Sequence, residues 1–215
     1  MIEKYFRQGI RFRWTKPGDA YGPQDGAMVA SGQAATPLIY DGLDGELVDP
    51  SFLVTHVGGL GLTKGQPIPY AWLDYCPGRT ASLPYGPYDV LTGYMSGCRL
   101  VAWSDRGVRY VSHVGTINDN PAANRKVKRT FAFKMTRDAQ GFNPLEFWPA
   151  SEVAAVQRKF RTLPSPHIFG LITTSKIFYS VLMLRLSANE WCAGGVKQAP
   201  PTPHDALKMF MVYED

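Results

Sequence analysis

Short apolar runs separated by turn residues dominate the hydrophobic pattern of this chain. Residues 99–103 and 108–114 flank the turn Ser104-Asp105-Arg106-Gly107 and predict a β-hairpin. Residues 168–172 and 177–186 are apolar enough to predict two buried strands. Further strands are predicted at 37–40, 52–57, 131–135 and 207–213, with loops at 67–87 and 196–204.

Helical periodicity is confined to two segments. In residues 152–161, Val156 and Phe160 share one apolar stripe, and Ser151 offers a side-chain cap at the start. This combination predicts a helix. Residues 89–97 have helical spacing interrupted by glycine and predict a short one.

Composition sets the expected fold class. The chain has 215 residues, of which 45% are apolar and 19% charged, a share that supports one packed domain over residues 1–215. The 21 glycines and 17 prolines favour many turns and few long helices. We expect an α+β fold, a single domain with a twisted, mixed β-sandwich core flanked by a few helices.

The charge of the chain does not by itself imply a nucleic-acid partner. The net charge is +5 and the pI is near 9.1, a mild excess that favours acidic partners in general. The densest basic cluster, residues 124–129, lacks interleaved aromatic side chains and is expected to be a solvated loop and strand edge. We expect a monomer with no nucleic-acid partner.

The three cysteines, Cys76, Cys98 and Cys192, are widely spaced and odd in number, which fits a reducing compartment better than a disulfide framework. The N-terminus lacks the apolar core of a signal peptide. Residues 177–186, the most apolar segment, are too short to span a bilayer. We expect a protein that is neither exported by the Sec route nor embedded in a membrane.

Most catalytic templates are missing from the sequence. It contains no nucleotide-binding P-loop, no zinc-protease H-E-x-x-H and no G-x-S-x-G elbow. Gly58-Gly59-Leu60-Gly61 lacks the lysine and helix start of a phosphate loop, so we interpret it as a turn. The histidines, His56, His113, His167 and His204, stand apart from carboxylates and cysteines at ligand spacing. No metal and no cofactor is therefore expected.

The predicted hairpin brings Cys98 and His113 close together. A two-residue loop at Asp105-Arg106 would pair Cys98 directly with His113, with Cβ atoms roughly 4.5–5.5 Å apart. A type I turn with a bulge at Gly107 would instead pair His113 with Arg99. Both registers keep the thiol within reach of the imidazole.

The residues around Cys98 suit a nucleophile. Ser96 and Gly97 are small enough to let a carbonyl approach the sulfur, and their backbone N–H groups could stabilise an oxyanion. A nearby imidazolium would lower the thiol pKa and favour the reactive thiolate. The structural alternative is an ordinary buried cysteine and a histidine that caps a strand end.

Two short motifs and a threonine resemble the cytotoxic necrotizing factor and Burkholderia lethal factor family of protein-glutamine deamidases. The motifs are Ser96-Gly97-Cys98 and His113-Val114-Gly115-Thr116, and Thr92 precedes Cys98 by six residues. Met95 stands where one branch of the family has leucine. The resemblance covers residues 90–116. It implies Cys98, His113 and Thr92 as the catalytic group, with Val54 or Thr55 as weaker candidates for the third member.

The resemblance implies a toxin or virulence effector that acts in the cytosol of a target cell. Cys98 would attack a glutamine side-chain amide and His113 would act as base and acid, leaving glutamate and ammonia, with transglutamination as a side reaction. The implied targets are of the Rho-family GTPase or translation initiation helicase type. Residues 70–88 and 125–129 are candidates for target selection. The alternatives are a non-catalytic binding protein, a cysteine protease or acyltransferase, and a housekeeping deamidase.

Overall fold

A computed structural model describes residues 2–43, 63–160 and 163–213. Several predicted features lie outside the described residues: the strand at 52–57, the Gly58–Gly61 turn, His56, and the candidates Val54 and Thr55. The strands are β1 (Ile10–Arg13), β2 (Met28–Ala30), β3 (Leu38–Leu43), β4 (Pro67–Ile68), β5 (Ala71–Trp72), β6 (Thr80–Pro84), β7 (Val90–Gly93), β8 (Arg99–Asp105), β9 (Val108–Val114), β10 (Gln140–Phe142), β11 (Ser165–Ile172), β12 (Phe178–Arg185), β13 (Glu190–Ala199) and β14 (Thr202–Pro203). The α-helices are α1 (Pro121–Lys134), α2 (Ala150–Gln157) and α3 (His204–Tyr213), and 3-10 turns cover Ile2–Phe6 and Pro144–Phe147.

The strands form two mixed sheets, which confirms the predicted α+β class. The first sheet has eight strands in the order β4-β3-β1-β13-β12-β11-β7-β5, and the second has six in the order β14-β10-β8-β9-β6-β2. Pairing is antiparallel except between β5 and β7 and between β2 and β6. The predicted strands at 37–40, 168–172 and 177–186 are confirmed as β3, β11 and β12.

The predicted hairpin is confirmed, but both predicted registers are wrong. Arg106 and Gly107 form the turn with φ of 47° and 83°, so both lie in the left-handed region that a type I′ turn requires. Asp105 therefore pairs with Val108, and His113 pairs with Leu100. The pairing of β8 with β9 therefore differs from both registers predicted from the sequence.

Helix α1 replaces the loop and strand predicted for residues 124–135. Asn120 caps it by accepting a hydrogen bond from the Ala123 amide, and a proline occupies its first turn. Phe131 and Met135 stand four residues apart and are both buried, whereas Phe133 is 76% exposed. The apolar spacing that predicted a strand is therefore the spacing of residues on one face of a helix.

Helix α3 replaces the strand predicted at 207–213, because the buried residues Leu207 and Met211 also stand four apart. The loop predicted at 196–204 is wrong too, since β13 continues to Ala199. The helix predicted at 152–161 is confirmed as α2, which begins at Ala150 and ends at Gln157. Its N-cap is Pro149 and not Ser151, with no side-chain cap bond.

The short helix predicted at 89–97 is wrong, because Val90–Gly93 is strand β7. All four residues are buried, since β7 lies between β11 and β5 inside the first sheet. A strand covered on both faces is apolar along its whole length and lacks the alternation that identifies strands in a sequence.

Hydrophobic clusters fill both faces of the second sheet. One face shares a cluster with the first sheet, which includes Val90, Cys98 and Leu100. Val114 on the opposite face packs with Val127 of α1. His113 precedes Val114 in β9, and because side chains alternate along a strand it lies on the face toward the first sheet. The site residues are thereby placed between the sheets.

The aromatic segment predicted as a loop at 67–87 contains the short strands β4, β5 and β6. Tyr70 and Trp72 are buried and pack edge to face with Trp14 in the core. These two residues therefore fill the interior, while Tyr88 is 52% exposed.

Candidate active site between the two sheets

Thr92 and His113 come from different sheets and meet through a short hydrogen bond. Thr92 on β7 and His113 on β9 are both fully buried, with 2.6 Å between Thr92 Oγ1 and His113 Nδ1. Thr92 Oγ1 also donates to the carbonyl oxygen of Leu73 at 2.7 Å. The structure thus brings together two of the three residues predicted as the catalytic group.

The Thr92 hydroxyl fixes the tautomer of His113. A carbonyl oxygen can only accept, so the single hydroxyl proton of Thr92 goes to Leu73. His113 Nδ1 must therefore donate to Thr92 Oγ1, which leaves Nε2 with a free lone pair in the neutral ring. Nε2 is buried and has no hydrogen-bond partner among the described residues. The imidazole is oriented as a proton acceptor.

Cys98 lies immediately before β8 and is 0% exposed. Extending the ladder one step places it opposite Gly115 and diagonal to His113, instead of directly opposite as one predicted register had it. Diagonal neighbours on one face have separations of roughly 7–8 Å, a distance long side chains can bridge. Since Nε2 has no partner in the described chain, no hydrogen bond joins it to Cys98 Sγ in this conformation.

Thr116 surrounds the Cys98 sulfur with polar groups. Its amide N–H donates to Cys98 Sγ at 3.4 Å, and its Oγ1 lies 3.4 Å from the same sulfur. The Thr116 carbonyl oxygen lies 3.9 Å away, where it accepts from the thiol. No role was predicted for Thr116 from the sequence. Thr116 is the last residue of the His113–Thr116 motif, and its position in that motif was the signal that could have identified it.

Ser96 and Gly97 form the turn before the cysteine. Ser96 is exposed, and its backbone helps to lower the pKa of the Cys98 thiol against the larger effect of burial. Gly97 has a φ of 106°, a conformation that side chains rarely adopt. A Cβ at Gly97 would lie 3.6 Å from Thr116 Oγ1, an ordinary contact, so backbone conformation and not space requires glycine here.

Burial sets the protonation state of the pair. It raises the pKa of the Cys98 thiol above its usual 9.0, against the opposing effect of the hydrogen bonds from Thr116 and the backbone. Burial also lowers the pKa of His113 from 6.5 to about 3. Both shifts oppose the expected thiolate–imidazolium pair and favour a neutral thiol beside a neutral imidazole in this conformation.

Tyr75 covers the site. Its ring centroid lies 5.3 Å from that of His113, and its hydroxyl donates to the Thr116 carbonyl oxygen at 2.6 Å. The side chain is partly exposed, whereas His113 and Cys98 behind it are not. Tyr75 thus separates solvent from the Cys98–His113 pair. Sequence reasoning placed it only within a broad aromatic stretch.

Helix α1, which carries the basic cluster, is joined to the site at one end only. The Asn124 side chain accepts from the Ile117 amide at 2.7 Å and donates to the Ile117 carbonyl at 2.8 Å, just after Thr116. The middle of the helix packs on the face of the second sheet that points away from His113. Most of residues 125–129 therefore lies away from the cysteine.

Comparison with known proteins finds no matching family model, no matching curated protein and no matching solved structure. Within the described residues, no group of three or more His, Cys, Asp or Glu side chains could hold a metal ion. No described helix is long and apolar enough to cross a membrane. The geometry around Thr92, His113 and Cys98 is accordingly the basis for assigning a function.

Proposed function

We propose that this protein is a protein-glutamine deamidase, an effector or toxin that acts in the cytosol of a target cell. Cys98 is the nucleophile, His113 the general base and acid, and Thr92 the positioning residue. The observation that carries the proposal is the bond between Thr92 Oγ1 and His113 Nδ1, which leaves Nε2 as a proton acceptor without a partner.

The acylation step begins with a neutral pair. His113 Nε2 takes the thiol proton as Cys98 Sγ forms a bond to the carbon of the glutamine carboxamide. The Thr116 N–H lies beside the sulfur, and the backbone N–H groups of the Ser96–Gly97 turn stabilise the oxyanion that develops on the carboxamide oxygen. The C–N bond then breaks, and the nitrogen takes the proton from Nε2 and leaves as ammonia.

Hydrolysis of the thioester restores the enzyme. His113 Nε2 takes a proton from water as the water oxygen bonds to the acyl carbon. The C–S bond breaks, the sulfur recovers its proton, and the product is glutamate. An amine in place of water would give a substituted amide, the transglutamination that the resemblance also implies.

Substrate entry requires Tyr75 to move. A glutamine side chain cannot reach a sulfur that is 0% exposed while the Tyr75 hydroxyl is bonded to Thr116. Displacing Tyr75 would open a path and let the thiol and imidazole approach each other in the substrate complex. Catalytic hydrogen bonds that tighten only on substrate binding are common.

The complete burial of Cys98 and His113 favours a second candidate, a non-catalytic binding protein in which both are core residues. Cys98 belongs to an apolar cluster with Val90 and Leu100, as an inert cysteine would. The unpartnered Nε2 argues the other way, because a structural histidine normally has both ring nitrogens satisfied. A papain-like protease has no support here, since a strand and not a long helix follows Cys98.

The test is intact-mass analysis of candidate substrates after incubation with the full chain. The panel contains Rho-family GTPases and translation initiation helicases. We expect the mass change of an amide-to-carboxylate conversion with the wild type and with Cys192→Ala, a buried cysteine outside the site. Cys98→Ala should give no change. Conversion that survives Cys98→Ala, or a panel left unmodified by a folded wild type, would refute the proposal for these targets.

A further inference from the structure

A cleft of about 310 Å³ lies between residues 20–33 and residues 74–79. Its walls include Val29, Gly32, Asp74, Cys76 and Pro77. This volume is at the lower end of the range for small-ligand sites and accommodates an alkyl chain of a few carbons. The cleft is separate from the Cys98–His113 pair but adjoins the segment that covers it.

The cleft contains a buried carboxylate with one unsatisfied oxygen. Asp74 is 3% exposed, and its Oδ2 accepts from Ser31 Oγ at 2.8 Å and from the Gly32 amide at 2.9 Å. Asp74 Oδ1 has no hydrogen-bond partner in the described part of the chain. Burying an unpaired carboxylate is unfavourable in free energy, so a hydrogen-bond donor to Asp74 Oδ1 would stabilise it.

The neighbouring basic side chain does not neutralise Asp74. Arg79 on the cleft wall binds Asp25 through two bonds of 2.9 Å. Residues 44–62, which lie outside the described structure, contain no lysine or arginine. Burial, and then the charge of Asp74, raise the pKa of Cys76 to about 11, and Arg79 offsets this only in part. Asp74 is therefore a buried carboxylate without a cationic partner among the described residues.

We propose that this cleft binds a primary alkylammonium group, with its alkyl chain packing along Val29 and Pro77 and its ammonium donating to Asp74 Oδ1 after a local opening of the cleft wall, because that oxygen is closed to solvent in this conformation. A guanidinium fits less well, because it prefers both oxygens of a carboxylate and Asp74 Oδ2 is already used by Ser31 and Gly32. An ammonium is a compact charge that can be satisfied by one oxygen.

The position of Asp74 links this cleft to the candidate active site. The preceding residue, Leu73, accepts the Thr92 hydroxyl bond, and the following residue, Tyr75, packs on His113. A bound ammonium would be either a lysine side chain beside the target glutamine or a free amine that replaces water. That choice of source rests on the proposed function, whereas the binding itself does not.

The binding test is a calorimetric titration of the full chain with butylammonium at neutral pH, with butanol as the uncharged control. We expect saturable binding of butylammonium only. Asp74→Asn keeps an oxygen for Ser31 and Gly32 and replaces the charged oxygen, so binding should weaken at least about tenfold. Asp138→Asn, an acidic residue outside this cleft, should leave it unchanged. Absence of saturable binding, or equal affinity in Asp74→Asn, would overturn the proposal.

A second variant guards against misfolding of Asp74→Asn. Gly32 lines the cleft and a Cβ there would meet nothing within 4 Å, so Gly32→Leu adds a large side chain at the cleft wall without displacing Asp74. It should also abolish butylammonium binding, and retained affinity would count against the site.

Two further experiments distinguish a lysine side chain from a free amine as the source of the ammonium group. A competing peptide with a single lysine identifies the side-chain source, and covalent addition of butylamine to a glutamine substrate identifies the free-amine source. If deamidation fails while butylammonium still binds, the proposed function is wrong and this inference stands.

Discussion

Thr92 Oγ1 and His113 Nδ1 lie 2.6 Å apart although the two residues belong to different sheets. The bond continues to the Leu73 carbonyl, so one hydroxyl joins two strands and a connecting segment. Both side chains are fully buried, where a hydrogen bond cannot be replaced by water. The hydroxyl that orients the imidazole therefore also adds a buried hydrogen bond between the two sheets.

Replacing Thr92 by valine should destabilise the protein and abolish deamidation. The variant leaves the His113 N–H and the Leu73 carbonyl buried without partners, at a cost of about 1–3 kcal/mol. Thr92→Ser keeps the hydroxyl and should retain most of the activity. Urea denaturation combined with the mass assay measures both effects. Full activity in Thr92→Val would contradict the positioning role, even if its stability fell as expected.

Two substitutions of Cys98 distinguish a polar site from a core position. Thr116 offers an N–H and a hydroxyl to the sulfur, so Cys98→Ser should remain within about 1 kcal/mol of the wild type. Cys98→Val leaves those groups unsatisfied and should cost about 1–3 kcal/mol. Both variants should be inactive. The reverse order of stability, with valine tolerated better than serine, would identify Cys98 as an ordinary core residue.

Truncation of Tyr75 should expose the thiol. Tyr75→Ala removes the ring over His113 and the bond to Thr116, so iodoacetamide should label Cys98 several-fold faster than in the wild type. Tyr75→Phe keeps the ring and should give an intermediate rate. Peptide mass mapping follows each cysteine, with the buried Cys192 as the internal control. Labelling of Cys98 at the same rate in all three proteins would show that the path to the sulfur lies elsewhere.

Acid should destabilise the protein through its buried histidines. Burial lowers the pKa of His113 from 6.5 to about 3, and that of His167 from 6.5 to about 4. Below pH 6.5 the unfolded chain binds protons that the folded chain does not, so stability falls as the pH decreases toward 3. Each histidine contributes at most about 1.4 kcal/mol per pH unit in its window.

The measurement is the free energy of unfolding in urea between pH 7 and pH 4. His113→Asn should flatten the acid limb, since asparagine does not titrate. His167→Asn should flatten it less, because His167 is only partly buried. An unchanged slope in His113→Asn would mean that His113 has the same pKa in the folded and in the unfolded protein.

Several parts of the fold and the site follow from local sequence patterns. The hairpin carrying His113 and the strands β11 and β12 are visible as apolar runs between turn residues. The pairing register of the hairpin cannot be predicted from the sequence, because it depends on a left-handed backbone conformation at Arg106 that the residue type does not indicate. Helices α1 and α3 were mistaken for strands where residues two and four apart were both apolar.

Some residues of the candidate site could likewise be predicted from the sequence, and others could not. Cys98 and His113 were predicted from their spacing on the hairpin, and Thr92 from the family resemblance. The structure brings Thr92 to His113 even though the segment around Thr92 was assigned to the wrong element. Tyr75 and Asp74 could not be predicted, because their roles come from contacts with residues far along the chain. Thr116 lay within the histidine motif and acquires a role only once the ladder is known.

The two-residue turn at Arg106-Gly107 also determines which face of the second sheet carries the His113 side chain. Side chains alternate along β9, so sliding β9 by one residue against β8 at this turn would turn His113 toward α1 and Val114 toward the first sheet. A change of two residues would preserve the face and only move the histidine along it. The chemistry between the sheets thus depends on the conformation of an exposed turn at the far end of the hairpin.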